Sequence, residues 1–100
     1  MAQTFDRAHF DHMTAGDVAL QMEVAALFRT QAAAWTHVLT PGEDWRAAAH
    51  AMKGSARGIG LTALAQACEV TEAAGDAEEA AALASLRAAL ETALAALDEL

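Results

Sequence analysis

The sequence predicts an all-α protein, an antiparallel up-down four-helix bundle with a short N-terminal lid helix, and three observations carry that expectation. The first is composition: 55% of the residues are hydrophobic, yet much of that share is alanine, aromatics are 5%, tyrosine is absent and proline occurs once. This balance favours helix over strand. The second is periodicity, with apolar residues recurring three and four apart along most of the chain. The third is punctuation: glycine, proline and capping residues fall at a few places separated by helix-length intervals. The resulting connections are short, so successive helices must run antiparallel.

The elements follow in order. Phe5, His9, Phe10 and Met13 lie at helical spacing and predict a first helix over Phe5 to Met13. Thr14, with Asp17 three residues on, reads as a capping box opening a second helix, with Gly16 at the joint. From Asp17 to about Leu39 the apolar residues spread over roughly half the circumference at about 100° per residue. That arc is wider than one bundle face needs, so it serves the core on one side and the first helix or a partner on the other. Thr40, Pro41, Gly42 and Glu43 supply an N-cap, a first-turn proline and a closing glutamate, which predict a third helix from that point to Ile59 with its stop at Gly60. Leu61, Leu64, Ala67, Cys68, Thr71 and Ala74 form a shorter amphipathic helix ending at Gly75. Asp76 and Glu79 read as another capping box, and Leu83, Leu86, Leu90, Leu94 and Leu97 form a packing seam on the last helix. No segment reads as a strand, and there is no internal repeat or linker.

A chain of 100 residues has room for one domain over 1–100 and enough surface to bury for it to fold without staples. The formal net charge of −8 argues against nucleic acid and anionic membranes as partners, because phosphate binding depends on lysine and arginine. The lone Cys68 cannot form an intramolecular disulfide, and no Cys/His cluster has zinc-site spacing, so neither a metal nor an intrinsic cofactor is expected. Met1 to Asp11 lacks the pattern of a signal peptide, and no apolar run approaches the roughly 20 residues that span a bilayer. A cytoplasmic, unanchored monomer is the expectation.

The chemistry concentrates on the third helix. At about 100° per residue, Trp45, Ala48, Ala49, Met52, Ala56 and Ile59 fall on one side as the core stripe, and His50 lies outside it. Arg46, Lys53, Gly54 and Arg57 are one or two turns from His50 on the solvent side, so this stripe holds three of the six lysines and arginines. A local positive patch around one exposed imidazole suits an arriving anion. A glycine inside a helix costs about 1 kcal/mol relative to alanine, and Gly54 has a use that explains its presence: it clears space over the ring for a bulky group and a docking partner. A neutral imidazole is a competent nucleophile, and phosphoryl transfer needs mostly in-line positioning and cations. Lys53 is the natural cation, and Ser55, near the edge of the stripe, is a candidate hydroxyl donor to a phosphoryl oxygen.

His50, Lys53, Gly54, Ser55, Ala56 and Gly60 reproduce a spacing that resembles the histidine phosphotransfer (HPt) domains of multistep two-component phosphorelays. Leu64, Cys68 and Glu69 continue the likeness, and Phe10, Gly16, Asp17, Glu23, Leu27 and Phe28 extend it more loosely over nearly the whole chain. The resemblance implies a four-helix bundle with the phosphorylatable histidine exposed in mid-helix. It implies that a response-regulator receiver domain, such as that of a hybrid histidine kinase, delivers a phosphoryl group from its aspartate to Nε2 of His50, and that another receiver removes it. Mg²⁺ is then expected only on the receiver. It also implies docking on an apolar patch built from the early helices, for which Phe10, Met13 and Leu20 are the candidates, although residues of this kind more often serve a core or a lid. The sequence departs from some members in carrying acidic Glu72 and Asp76 where a polar or basic residue helps orient the site.

Two other functions compete. A histidine kinase is disfavoured because no Gly-rich nucleotide-binding segment is present, so the chain is expected to carry phosphoryl groups without being an enzyme. A helical adaptor or inhibitor that docks on a receiver or kinase without phosphotransfer is the alternative, though its mark would be absence of the histidine. His9 and His12 lack a third ligand and read as surface histidines, His37 suits a helix C-terminus, and Cys68 reads as a small buried hydrophobe.

Overall fold

The architecture follows from where the chain can satisfy its helix ends. A computed structural model describes residues 3–100, so Met1 and Ala2 of the expected domain lie outside the described residues. Among the described residues five α-helices, α1 (Arg7–Met13), α2 (Val18–Thr36), α3 (Trp45–Ile59), α4 (Thr62–Glu72) and α5 (Glu79–Leu97), are joined by short turns, with a 3₁₀ turn at Asp76–Glu78 before α5. Among the described residues there is no strand. α3 packs on α4, α4 on α5, and α2 on both α3 and α5, while α1 lies against α3. A single hydrophobic cluster runs through all five helices, from Phe10 through Phe28, Met52 and Leu64 to Leu86 and Leu97. Burying such side chains is the main favourable term in the fold, at roughly 1.5–3 kcal/mol each.

Several helix ends differ from the sequence expectation, and each difference has a local cause. α1 starts at Arg7 because Asp6 is its N-cap, accepting from the His9 backbone N–H at 3.0 Å. Thr14 is the C-cap of α1, not the N-cap of α2: its buried hydroxyl donates to the Phe10 carbonyl at 2.7 Å and accepts from Gln21 Nε2 at 3.0 Å. Asp17 caps α2 alone, accepting from the Leu20 N–H at 3.1 Å. α2 stops at Thr36, three residues early, because Arg87 takes the Thr36 and Leu39 carbonyls at 3.1 and 3.0 Å, leaving Leu39 buried from a loop.

Thr40 to Glu43 is a β-turn and not a helix start. The Glu43 N–H donates to the Thr40 carbonyl at 3.2 Å and Gly42 sits at φ +92°, which is the proline-then-glycine pattern of a type II turn. α3 therefore begins at Trp45, with Asp44 at its N-cap making no side-chain bond. Its other end is as expected: Gly60 is left-handed at φ +89°. The Asp76–Glu79 capping box is absent as well, since the Glu79 carboxylate accepts instead from Trp45 Nε1 at 2.5 Å.

The core stripe of α3 is buried at all six expected positions, and in the α5 seam Leu83, Leu86, Leu90 and Leu97 are buried while Leu94 is half-buried. One membrane expectation needs correction: Asp76–Leu97 is long and apolar enough to cross a bilayer by length and composition. Alanine between the leucines makes it so, and the buried leucines belong to the core.

Candidate functional site

His50 lies in mid-α3 with its core neighbours Ala49 and Met52 buried beneath it and its own side chain 76% exposed. What lies beside it is set by α4. Arg57 meets Glu69, Lys53 meets Glu72, and Arg46 meets the carbonyls of Glu72 and Ala74. Positions descending along α3 thus meet positions ascending along α4, so the two helices run in opposite directions and a basic face of one opposes an acidic face of the other.

Glu72 is the centre of this arrangement. Its Oε1 is 3.0 Å from His50 Nδ1 and its Oε2 is 2.6 Å from Lys53 Nζ. The carboxylate is 21% exposed and the lysine side chain 16%, so the pair is largely withdrawn from water while the imidazole is not. The Lys53 ammonium holds the Glu72 carboxyl below the usual carboxylate range; burial opposes that, and the hydrogen bond with His50 adds to it. An ionised carboxylate can only accept, so Nδ1 must carry the proton in this pair. In the neutral ring Nε2 then keeps its lone pair free. The site thus presents an oriented nucleophilic nitrogen beside a neutralised ion pair.

The other expected site residues divide. Gly54, four residues beyond His50, leaves open space where a side chain would be: an added Cβ would meet nothing within 4 Å. Ser55 is half-buried and, five residues on, sits about 140° round the helix from His50. Arg46 and Arg57, expected to support the phosphoryl site, both turn to groups on or just past α4. The Arg46 guanidinium bonds the carbonyls at the end of α4, and Arg57 pairs with Glu69 at 3.1 Å. Phe10 is corrected as a docking contact, because it is 0% exposed and its ring packs against that of Phe5 at a 59° tilt, which is the core or lid role. Met13 and Leu20 remain at the surface, 44% and 39% exposed, together with Val18, Met22 and Leu27.

Glu72 stood out in the sequence only as an acidic departure at an orienting position; that its carboxylate itself holds His50 and Lys53 was not disclosed. It is 22 positions from His50, far beyond any helical repeat. The available signal was the Glu69–Glu72 spacing on a helix predicted to lie antiparallel to the basic stripe. Cys68 is buried on the same helix, and burial pushes its thiol up to about 12, with the nearby Glu72 charge adding to the effect. It is chemically quiet. Among the described residues no group of three or more His, Cys, Asp or Glu side chains is placed to hold a metal ion.

An all-helical protein in which an exposed imidazole in mid-helix is oriented by a carboxylate on the neighbouring helix is the class that fold and site define together. The family model of the Hpt domain matches residues 22–100, and the chain belongs to the Hpt family. It is similar to the crystal structure of histidine phosphotransferase ShpA from Caulobacter crescentus, with a TM-score of 0.84 and 40% identity over 97% of this chain and 89% of that one. No curated protein matches it. Family membership makes it a histidine phosphotransfer protein of two-component signalling, a carrier class that works with receiver domains and is distinct from kinases.

Proposed function

We propose that the chain is a phosphorelay intermediate in which His50 takes a phosphoryl group from the aspartate of one receiver domain and gives it to another. The observation that carries this reading is the exposed His50 ring with Nδ1 held by Glu72 at 3.0 Å. In the forward step the Nε2 lone pair forms the N–P bond as the bond from phosphorus to the aspartyl oxygen breaks, and that carboxylate leaves with the electron pair. No proton has to depart, because Nδ1–H persists and the positive charge developing on the ring is met by Glu72, as a carboxylate supports an imidazolium elsewhere. Transfer to the second receiver is the same exchange in reverse. Lys53, paired with Glu72 at 2.6 Å, keeps that carboxylate from presenting an uncompensated negative charge to the phosphoryl group. Gly54 leaves room for the receiver, and Ser55 is at most an edge contact.

The remaining expectations fit this reading. The contacts linking α2, α3, α4 and α5 in a closed circuit support an up-down four-helix bundle with α1 as lid; a single-domain cytoplasmic monomer is part of the same proposal. Met13 and Leu20, with their exposed apolar neighbours, are the docking candidates for receivers, including that of a hybrid kinase, and Mg²⁺ belongs to the receiver. The test is incubation with a phosphorylated receiver and, separately, with ATP alone. Acid-labile, base-stable label is expected on the wild type only from the receiver, and none on His50→Gln. Label persisting in that variant would overturn the assignment, and an unlabelled wild type would favour the docking adaptor instead.

A further inference from the structure

Arg46 lies one turn before His50 on the same face, yet its guanidinium is committed elsewhere. One nitrogen donates to the Glu72 carbonyl and the other, at 2.9 Å, to the Ala74 carbonyl. The guanidinium carbon lies 4.3 Å from the centroid of the Trp45 ring. Trp45 is itself buried, and its Nε1 donates to Glu79 Oε1 at 2.5 Å. The last carbonyls of any helix lack intrahelical partners, and α4 ends at Glu72. The residue that orients His50 therefore sits in a terminal turn, where helices fray first. The fork of an arginine can bridge the last helical carbonyl and the Ala74 carbonyl just past the helix at once, whereas a lysine presents one point charge.

We infer that Arg46 is a positioning residue for phosphotransfer: stacked on Trp45 and braced through Glu79, it clamps the last turn of α4 and thereby holds the Glu72 carboxylate on His50 Nδ1. The inference rests on His50 being the phosphoacceptor. It removes Arg46 from direct contact with the phosphoryl group and assigns it control of the imidazole tautomer instead. Arg57, whose pair with Glu69 is exposed on both sides, has no such part, because exposed ion pairs contribute little.

The decisive variant is Arg46→Lys, which keeps the charge and a long side chain but cannot span both carbonyls, with Arg57→Lys as the charge-matched control. Nitrogen NMR of the His50 ring in the full chain should show Nδ1–H with Nε2 unprotonated in the wild type and in Arg57→Lys. Arg46→Lys should move toward the mixed tautomers of a free imidazole. With a receiver domain charged by radiolabelled acetyl phosphate, the maximal transfer rate of Arg46→Lys should fall about tenfold, the scale seen when outer partners of a functional histidine are removed. The receiver concentration giving half that rate should not move. Adding Arg46→Lys to Glu72→Ala should slow transfer no further, since both act through one contact.

A wild-type tautomer in Arg46→Lys, a change confined to half-saturation, or multiplying effects in the double variant would each overturn the clamp. An unlabelled wild type, or label surviving in His50→Gln, would sink the phosphoacceptor reading and any role of Arg46 in transfer with it. Unchanged ring nitrogens alongside normal labelling would sink the clamp alone.

Discussion

Gly54 shows how one residue can be placed for something other than the fold. Its backbone is ordinary helix and an added Cβ would meet nothing within 4 Å, so packing does not require glycine there. Gly54→Ala should stabilise the protein by about 0.5–1 kcal/mol, the helix-propensity difference, measured by denaturant unfolding. Gly54→Glu should leave the protein folded but slow phosphotransfer from a receiver, because it adds bulk and negative charge one turn from His50. Unaltered transfer in Gly54→Glu would contradict the account of this glycine as clearance. Glu72 is the converse case, a residue whose chemistry depends on partners 19 and 22 positions away.

At the level of elements, the joint between α3 and α4 is the most tightly specified. Gly60 is left-handed, and a Cβ there would lie 2.8 Å from the Asp6 backbone oxygen. The Asp6 N–H donates to the Gly60 carbonyl at 2.7 Å, so the N-terminal segment crosses the joint at close range. Gly60→Ala should destabilise the protein by about 2 kcal/mol or more, the left-handed penalty for a side chain plus the displaced contact. Gly58→Ala, two residues earlier with open space and ordinary φ, should be neutral or stabilising; equal losses from both changes would refute the explanation. The Thr40–Glu43 turn teaches a related lesson. Proline followed by glycine suits both the opening of a helix and a type II turn, and the left-handed φ of Gly42 decides for the turn.

For the whole molecule, the interaction of α3 with α4 ties stability to pH. The Glu72 carboxyl titrates lower in the folded protein than when unfolded, so its contribution is present above the unfolded carboxylate pKa, about 4.3, and is lost as pH falls through its folded value. The stability difference between wild type and Glu72→Gln should therefore be largest near neutral pH and shrink in acid. A difference that stays constant from pH 7 to acid would refute the linkage. Helix content, the six-residue core stripe of α3, the Gly60 stop and the exposure of His50 were all legible in the sequence, because helical period and backbone conformation are local properties. The diversion of Arg46 and Arg57 to α4, the early end of α2 on Arg87 and the carboxylate on Nδ1 were not. Each depends on which groups from distant positions meet when helices pack, and long polar side chains find their partners across that interface and not along their own helix.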